Sequence, residues 1–195
     1  MAAATRLRLV LTGFPRALYP SSIARGVPDR AAGLIPAMNG VMTLTEFLSE
    51  ARVVTDVRDD DVRGILEQLL EAAVSHGLVT NPEAVMAALL KREQVLSTGI
   101  GHGIAIPHAI SAAIPAPQVL VGICPEGADY QSMDGEPVYV FFVLLSPPDQ
   151  ASHHTRLLAR IARLGRDPEF VEGLRLCGDP VTAIEHIARY ERTHA

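Results

Sequence analysis

The residues with chemical potential are four histidines in two short stretches. His102 and His108 lie in Gly101-His102-Gly103-Ile104-Ala105-Ile106-Pro107-His108, and His153 and His154 stand side by side further on. A neutral imidazole near physiological pH can attack an electrophile, relay a proton or bind a metal. Pro107 fixes its own φ and pushes Ile106 into the extended region, so His108 sits on a stiff stem. Ile104, Ala105 and Ile106 give it apolar surroundings, and the nearby glycines leave the ring open to a partner. Stiffness and access suit a nucleophile that a second protein must reach, and His108 is the candidate nucleophile. A hydrogen-bonded core histidine fits the same local pattern.

His153 and His154 follow Asp149 and Gln150, in the first turn of an expected helix. A helix start offers unpaired N–H groups that favour an anion, so one of these rings could steady a phosphoryl group or the acceptor ring. Arg92, at the end of the helix before the glycines, could supply a forked cationic donor. The plainer alternatives are a solvated histidine pair and an arginine favoured by the helix dipole. Zinc bound by His102, His108, His153 and His154 is a further alternative, without an HExxH pattern to support it. The glycine run is neither a Walker loop, since no Gly-Lys-Ser/Thr follows, nor a dinucleotide fingerprint, since its order is GxGxG and a helix precedes it. On its own it reads as a tight connection with unusual backbone angles.

The elements that must position these residues follow from periodicity. Leu44, Phe47 and Leu48 fit a short helix, and residues 52–57 a strand. Asp59, Asp60 and Asp61 open a helix with Leu66, Leu69, Leu70 and Val74 at helical spacing, ended by Gly77. Asn81, Pro82 and Glu83 start another that runs to about Arg92. Residues 98–108 carry little periodicity. Val119 to Cys124 and Val138 to Leu145 read as strands across a turn-rich stretch. Helices follow from about Gln150 to Leu164, Pro168 to Leu176 and Val181 to Tyr190. Strands alternating with helices predict an α/β fold: a layered sandwich, with a small mixed β-sheet flanked by helices.

Composition narrows the classes. The chain has 195 residues, 48% of them apolar, and no Trp, so its core is aliphatic. Two cysteines make neither a disulfide framework nor a four-ligand metal site, and a reducing cytoplasm is expected. The longest apolar run, Val138 to Leu145, is far below the roughly 20 residues that cross a bilayer. Residues 1–41 hold five arginines against one aspartate, +4, while the rest holds 12 basic and 21 acidic side chains, −9. Such an acidic domain is poorly suited to nucleic acid. Residues 1–41 read as a disordered N-terminal extension or as a mis-assigned start, with the true start at Met38 or Met42; an organellar transit peptide is the weaker reading. The domain is expected over 42–195.

Two longer stretches resemble one family. Lys91-Arg92-Glu93, with Ser97 through Ala109, resembles the signature of type-2 EIIA domains of the bacterial phosphoenolpyruvate-dependent phosphotransferase system, in its fructose/mannitol and nitrogen-regulatory branch. Leu144-Leu145-Ser146-Pro147-Pro148-Asp149-Gln150, with His154, Leu157, Leu158 and Ile161, is similar to the same family. The resemblance covers about Met42 to Tyr190. It implies His108 as phosphoacceptor, His154 rather than His153 as its neighbour, and Arg92 lining the site; no cofactor and no metal are expected. It implies the phosphocarrier HPr or its nitrogen-branch relative as donor, and an EIIB domain or a regulatory target as the next partner. Nitrogen-type EIIA is slightly favoured, although His102 and Ala109 stand where that branch tends to carry Asn and Gly. A regulatory binding module without onward transfer is the alternative. The apolar rim that keeps water from the phosphohistidine is expected from Ile100, Ile104 and Ile106.

Overall fold

The computed structural model describes residues 42–59 and 61–193. The expectations for residues 1–41 and for Asp60 lie outside them.

The centre is a sheet whose two long strands are apolar on both faces. These are β5 (Gln118–Ala128) and β6 (Val138–Ser146), paired antiparallel. Along β6, Phe141, Val143 and Leu145 join one apolar cluster, while Val140, Phe142 and Leu144 join the other. Successive side chains of a strand point to opposite faces, so this run builds two cores at once. β1 (Val53–Val54) runs parallel to β5. On the other side of β6, β3 (Ile104–Ala105) and β4 (His108–Ile110) pair parallel to it, and β2 (Gly99–Gly101) pairs antiparallel to β3. The sheet is mixed and six-stranded.

Helices α1 (Val62–Ser75) and α2 (Pro82–Glu93) supply the first cluster, α1 through Ile65, Leu66, Leu69 and Leu70. Asp61 caps α1 by accepting from the Gly64 N–H, and Asn81 caps α2 in the same way, with Pro82 at its first position. On the opposite face lie α3 (Ala151–Leu164), α4 (Pro168–Arg175) and α5 (Pro180–Thr193). Leu157, Ile161, Phe170, Leu174 and Ile187 fill the second cluster. The predicted sandwich is the observed one.

Two expectations need correction. The strand expected over 52–57 is only two residues long, preceded by a 3-10 turn, Glu50–Arg52. Arg52 is buried, and its guanidinium donates to the Gln118 side chain. The glycine-rich stretch 98–108, expected to be irregular, supplies β2, β3 and the start of β4. Each is two or three residues long, too short for an alternating pattern to show.

Candidate functional site

The site begins where α2 ends and β4 begins. β4 pairs in register with the end of β6, His108 opposite Leu144 and Ile110 opposite Ser146. His108 is half-buried, with both ring nitrogens engaged. Nδ1 lies 2.8 Å from the Ile106 carbonyl oxygen, and Nε2 lies 3.0 Å from Nε of Arg92. A carbonyl and a guanidinium N–H allow one assignment: Nδ1 carries the proton and donates, and Nε2 holds the lone pair and accepts. Arg92 also donates from Nη1 to the Leu96 carbonyl at 2.8 Å.

The structure brings His154 to His108, with ring centroids 5.5 Å apart. His154 is 4% exposed, and its Nδ1 is 2.9 Å from the Ser146 hydroxyl. Ser146 ends β6, so one strand orders both rings. Burial pushes the pKa of His108 down; the Ile106 carbonyl opposes this, the Arg92 charge adds to it and Glu93 opposes it. Burial, and then the His108 charge, lower His154 to about 4. His154 is therefore neutral at pH 7, and it holds its ring beside His108 without competing charge.

Sequence reasoning placed both histidines in the first turn of α3. A 3-10 turn, Pro148–Gln150, precedes that helix, so His153 and His154 are its third and fourth residues. Both therefore lie in the first turn of α3, as expected. The Nδ1 of His153 is buried without a hydrogen-bond partner among the described residues. His102 does not join the group. It forms the turn between β2 and β3, exposed, with φ 59°, and its N–H donates to Asp134 Oδ2 at 2.8 Å. Among the described residues no cluster of three or more His, Cys, Asp or Glu could hold a metal ion, so the four-histidine zinc reading loses its ligand set.

The expected apolar rim also changes. Ile104 and Ile106 belong to the core, and Ile100 packs against it. Exposed instead are Val95 (79%), Leu96 (60%) and Ile110 (45%). Val95 and Leu96 sit on the turn that Arg92 braces, and Ile110 lies two residues beyond His108. Sequence reasoning gave no role to Ser146, Thr98 or Glu93. For Glu93 one signal exists: an acid in the last turn of a helix opposes the dipole, so local donors must hold it.

The family comparison agrees with this geometry. The model of the family described as "Phosphoenolpyruvate-dependent sugar phosphotransferase system, EIIA 2" matches residues 46–190. The chain belongs to that family. It is 33% identical to a nitrogen regulatory protein of Bradyrhizobium diazoefficiens over 142 residues, 71% of this chain and 90% of that protein. It is 30% identical to the fructose-specific EIIABC component of the phosphotransferase system of Bacillus subtilis over 123 residues, 63% of this chain but only 19% of that longer protein. Its fold is similar to that of nitrogen regulatory protein IIA-Ntr from Neisseria meningitidis (TM-score 0.68, 23% identity, 73% of this chain and 97% of that one). It is also similar to the complex of enzyme IIAMTL and phosphorylated enzyme IIBMTL from Escherichia coli (TM-score 0.62, 18% identity, 73% and 97%). Among the described residues no helix is long and apolar enough to cross a membrane.

Proposed function

We propose that the protein is a phosphocarrier of the phosphoenolpyruvate-dependent phosphotransferase system, accepting a phosphoryl group on Nε2 of His108. The observation that carries this is the clamp on the His108 ring, Nδ1–H on the Ile106 carbonyl and Nε2 toward Arg92. The donor is the phosphohistidine of HPr or its nitrogen-branch relative. The lone pair of His108 Nε2 forms the new N–P bond as the carrier's N–P bond breaks. The carrier ring, with a proton on its other nitrogen, leaves as neutral imidazole. No proton need move in the step, because His108 keeps its Nδ1–H throughout, and the Ile106 carbonyl steadies the imidazolium that results. Catalysis is positioning and charge stabilisation.

In this reading the Arg92 guanidinium yields Nε2 to the incoming phosphorus and turns its donors to the phosphoryl oxygens. His154 completes the cradle. With the Ser146 hydroxyl donating to its Nδ1, the ring keeps its proton on Nε2, free to donate to a phosphoryl oxygen. Val95, Leu96 and Ile110 form the rim that excludes water when a partner docks. Residues 42–195 suffice for the reaction, and the protein acts in the cytoplasm, where its carrier is. The phosphoryl group then passes to an EIIB domain or serves as a regulatory signal. The fold likeness to the IIAMTL–IIBMTL complex supports the first. The likeness to a nitrogen regulatory protein over 90% of its length slightly favours the second. Incubation with phosphoenolpyruvate, enzyme I and HPr, followed by intact-mass measurement, tests the proposal: wild type gains one phosphoryl group and His108→Ala gains none. A His108→Ala variant that still gains it ends the reading. A pull-down with wild type and His108→Asp tests the regulatory branch, in which partners must discriminate between the two.

A further inference from the structure

We propose that Glu93 is a positioning residue for the acceptor, controlling which nitrogen of His108 carries the proton. The inference rests on His108 being the phosphoacceptor. Glu93 is the last residue of α2, where the helix dipole disfavours an acid, yet its carboxylate is richly supplied with donors. Oε1 accepts from the Thr98 N–H at 2.8 Å, and Oε2 from the Thr98 hydroxyl at 2.6 Å. The Tyr130 hydroxyl donates to Oε2 at 3.3 Å. Tyr130 is fully buried, and burial, then the Glu93 charge, raise its pKa, so it stays a donor.

From Thr98 the chain of contacts leads to the acceptor. The Thr98 carbonyl accepts from the Ile106 N–H at 2.9 Å. The Ile106 carbonyl accepts from His108 Nδ1, and His108 Nε2 accepts from Arg92, the neighbour of Glu93. The path therefore closes on itself: Glu93, Thr98, Ile106, His108, Arg92. The Arg92 contact with the Leu96 carbonyl lies inside the same turn that Glu93 closes. One carboxylate thus sets both clamps on the ring. Without it, Thr98, only 2% exposed, has a buried N–H with no acceptor, and its hydroxyl keeps only the Tyr130 hydroxyl as a partner. The turn must then shift, and the Ile106 carbonyl and the Arg92 guanidinium shift with it. A plain helix stop at this position would leave the ring's proton where it is.

The test uses the full chain with ¹⁵N-labelled histidine. Ring-nitrogen shifts of unphosphorylated His108 report the tautomer, and single-turnover transfer from phosphorylated HPr reports the rate. In wild type the Nδ1–H form dominates. In Glu93→Ala the Nε2–H form rises to a comparable share and the rate falls roughly tenfold or more, as for other small misplacements of reacting groups. Glu93→Gln, which keeps an acceptor for the Thr98 N–H, restores most of the rate and the tautomer. A Glu93→Ala protein with the wild-type tautomer ratio overturns the proposal, whatever its rate. Should Glu93→Ala not fold, Thr98→Val, a change of similar volume, decides on the same readouts: a smaller redistribution supports the chain of contacts, and none overturns it. A wild type that takes no phosphoryl group while Glu93→Ala still redistributes the proton ends the phosphocarrier reading and upholds control of the tautomer.

Discussion

His102 and His108 stand six residues apart in one glycine-rich run, and the fold treats them in opposite ways. His102 is the exposed corner of a hairpin, held by its backbone: it has φ 59° between Gly101 (φ 89°) and Gly103 (φ 76°), and its N–H is tied to Asp134. His108 has an extended backbone in β4 and is held by its ring, between a carbonyl and a guanidinium and beside a second imidazole. Residue type and local spacing are shared; the difference comes from β6. Its start, Tyr139 and Val140, bonds the hairpin through the Gly103 carbonyl, and its end, Leu144 to Ser146, pairs with β4. A histidine becomes a site when tertiary structure fixes its tautomer and limits its water, not when glycines surround it.

Removing the cation at the His108 end is the strongest way to break this contrast. Arg92→Ala should slow phosphoryl acceptance about a hundredfold, the scale of losing one preorganised donor to developing charge. Rapid-quench transfer from phosphorylated HPr measures it, and Arg92→Lys should recover only part, because a lysine cannot fork between Leu96 and the ring. Loss of the neighbouring imidazole should matter less. His154→Gln should cost about tenfold in the same assay, roughly 1.4 kcal/mol of transition-state stabilisation.

The same variant tests the acid side of stability. With a folded pKa of about 4 against about 6.5 unfolded, His154 is neutral in both states above pH 6.5 and contributes no pH dependence there. As pH falls from 6.5 toward 4, the unfolded chain binds the proton first, so folding stability drops, by an amount on the order of 2–3 kcal/mol. Urea titrations across that window should show wild type losing more stability than His154→Gln. His108, whose pKa is also lowered, stays neutral and nucleophilic somewhat below pH 6.5, so transfer should persist there.

The hairpin end should respond in stability alone. Gly103→Ala places a Cβ at positive φ and 3.0 Å from the Tyr139 ring, and should cost about 1–2 kcal/mol by denaturant midpoint while leaving the transfer rate nearly intact. His102→Ala should change the rate by no more than about twofold, as expected of an exposed side chain outside the site.

Much of the scaffold was legible because it follows local rules. Asn81 and Pro82 announce the start of α2, and eight unbroken apolar residues announce β6. His108 stood out through Pro107 and gained its weight from the longer match around it. Three things were hidden. β2 and β3 are too short for any period: β3 exists because β6 offers it hydrogen bonds, and β2 because β3 does. Ile104 and Ile106 looked like a rim and are core, since nothing local says which side of β3 is covered. The Glu93 and Ser146 contacts with Thr98 and His154 join residues whose partners only the fold selects. The meeting of Arg92, His108 and His154 had the same origin: it depends on β4 pairing with the end of β6, a register written in neither segment alone.

The central claim is that Nε2 of His108, and no other nitrogen, takes the phosphoryl group. Phosphorus–nitrogen couplings in the ¹⁵N-histidine-labelled protein, recorded after phosphorylation through HPr, test it most directly. One coupling to Nε2 of His108 is predicted, with the rings of His102, His153 and His154 uncoupled. Phosphorus bonded to Nδ1 of His108, or to any other histidine, would contradict the account.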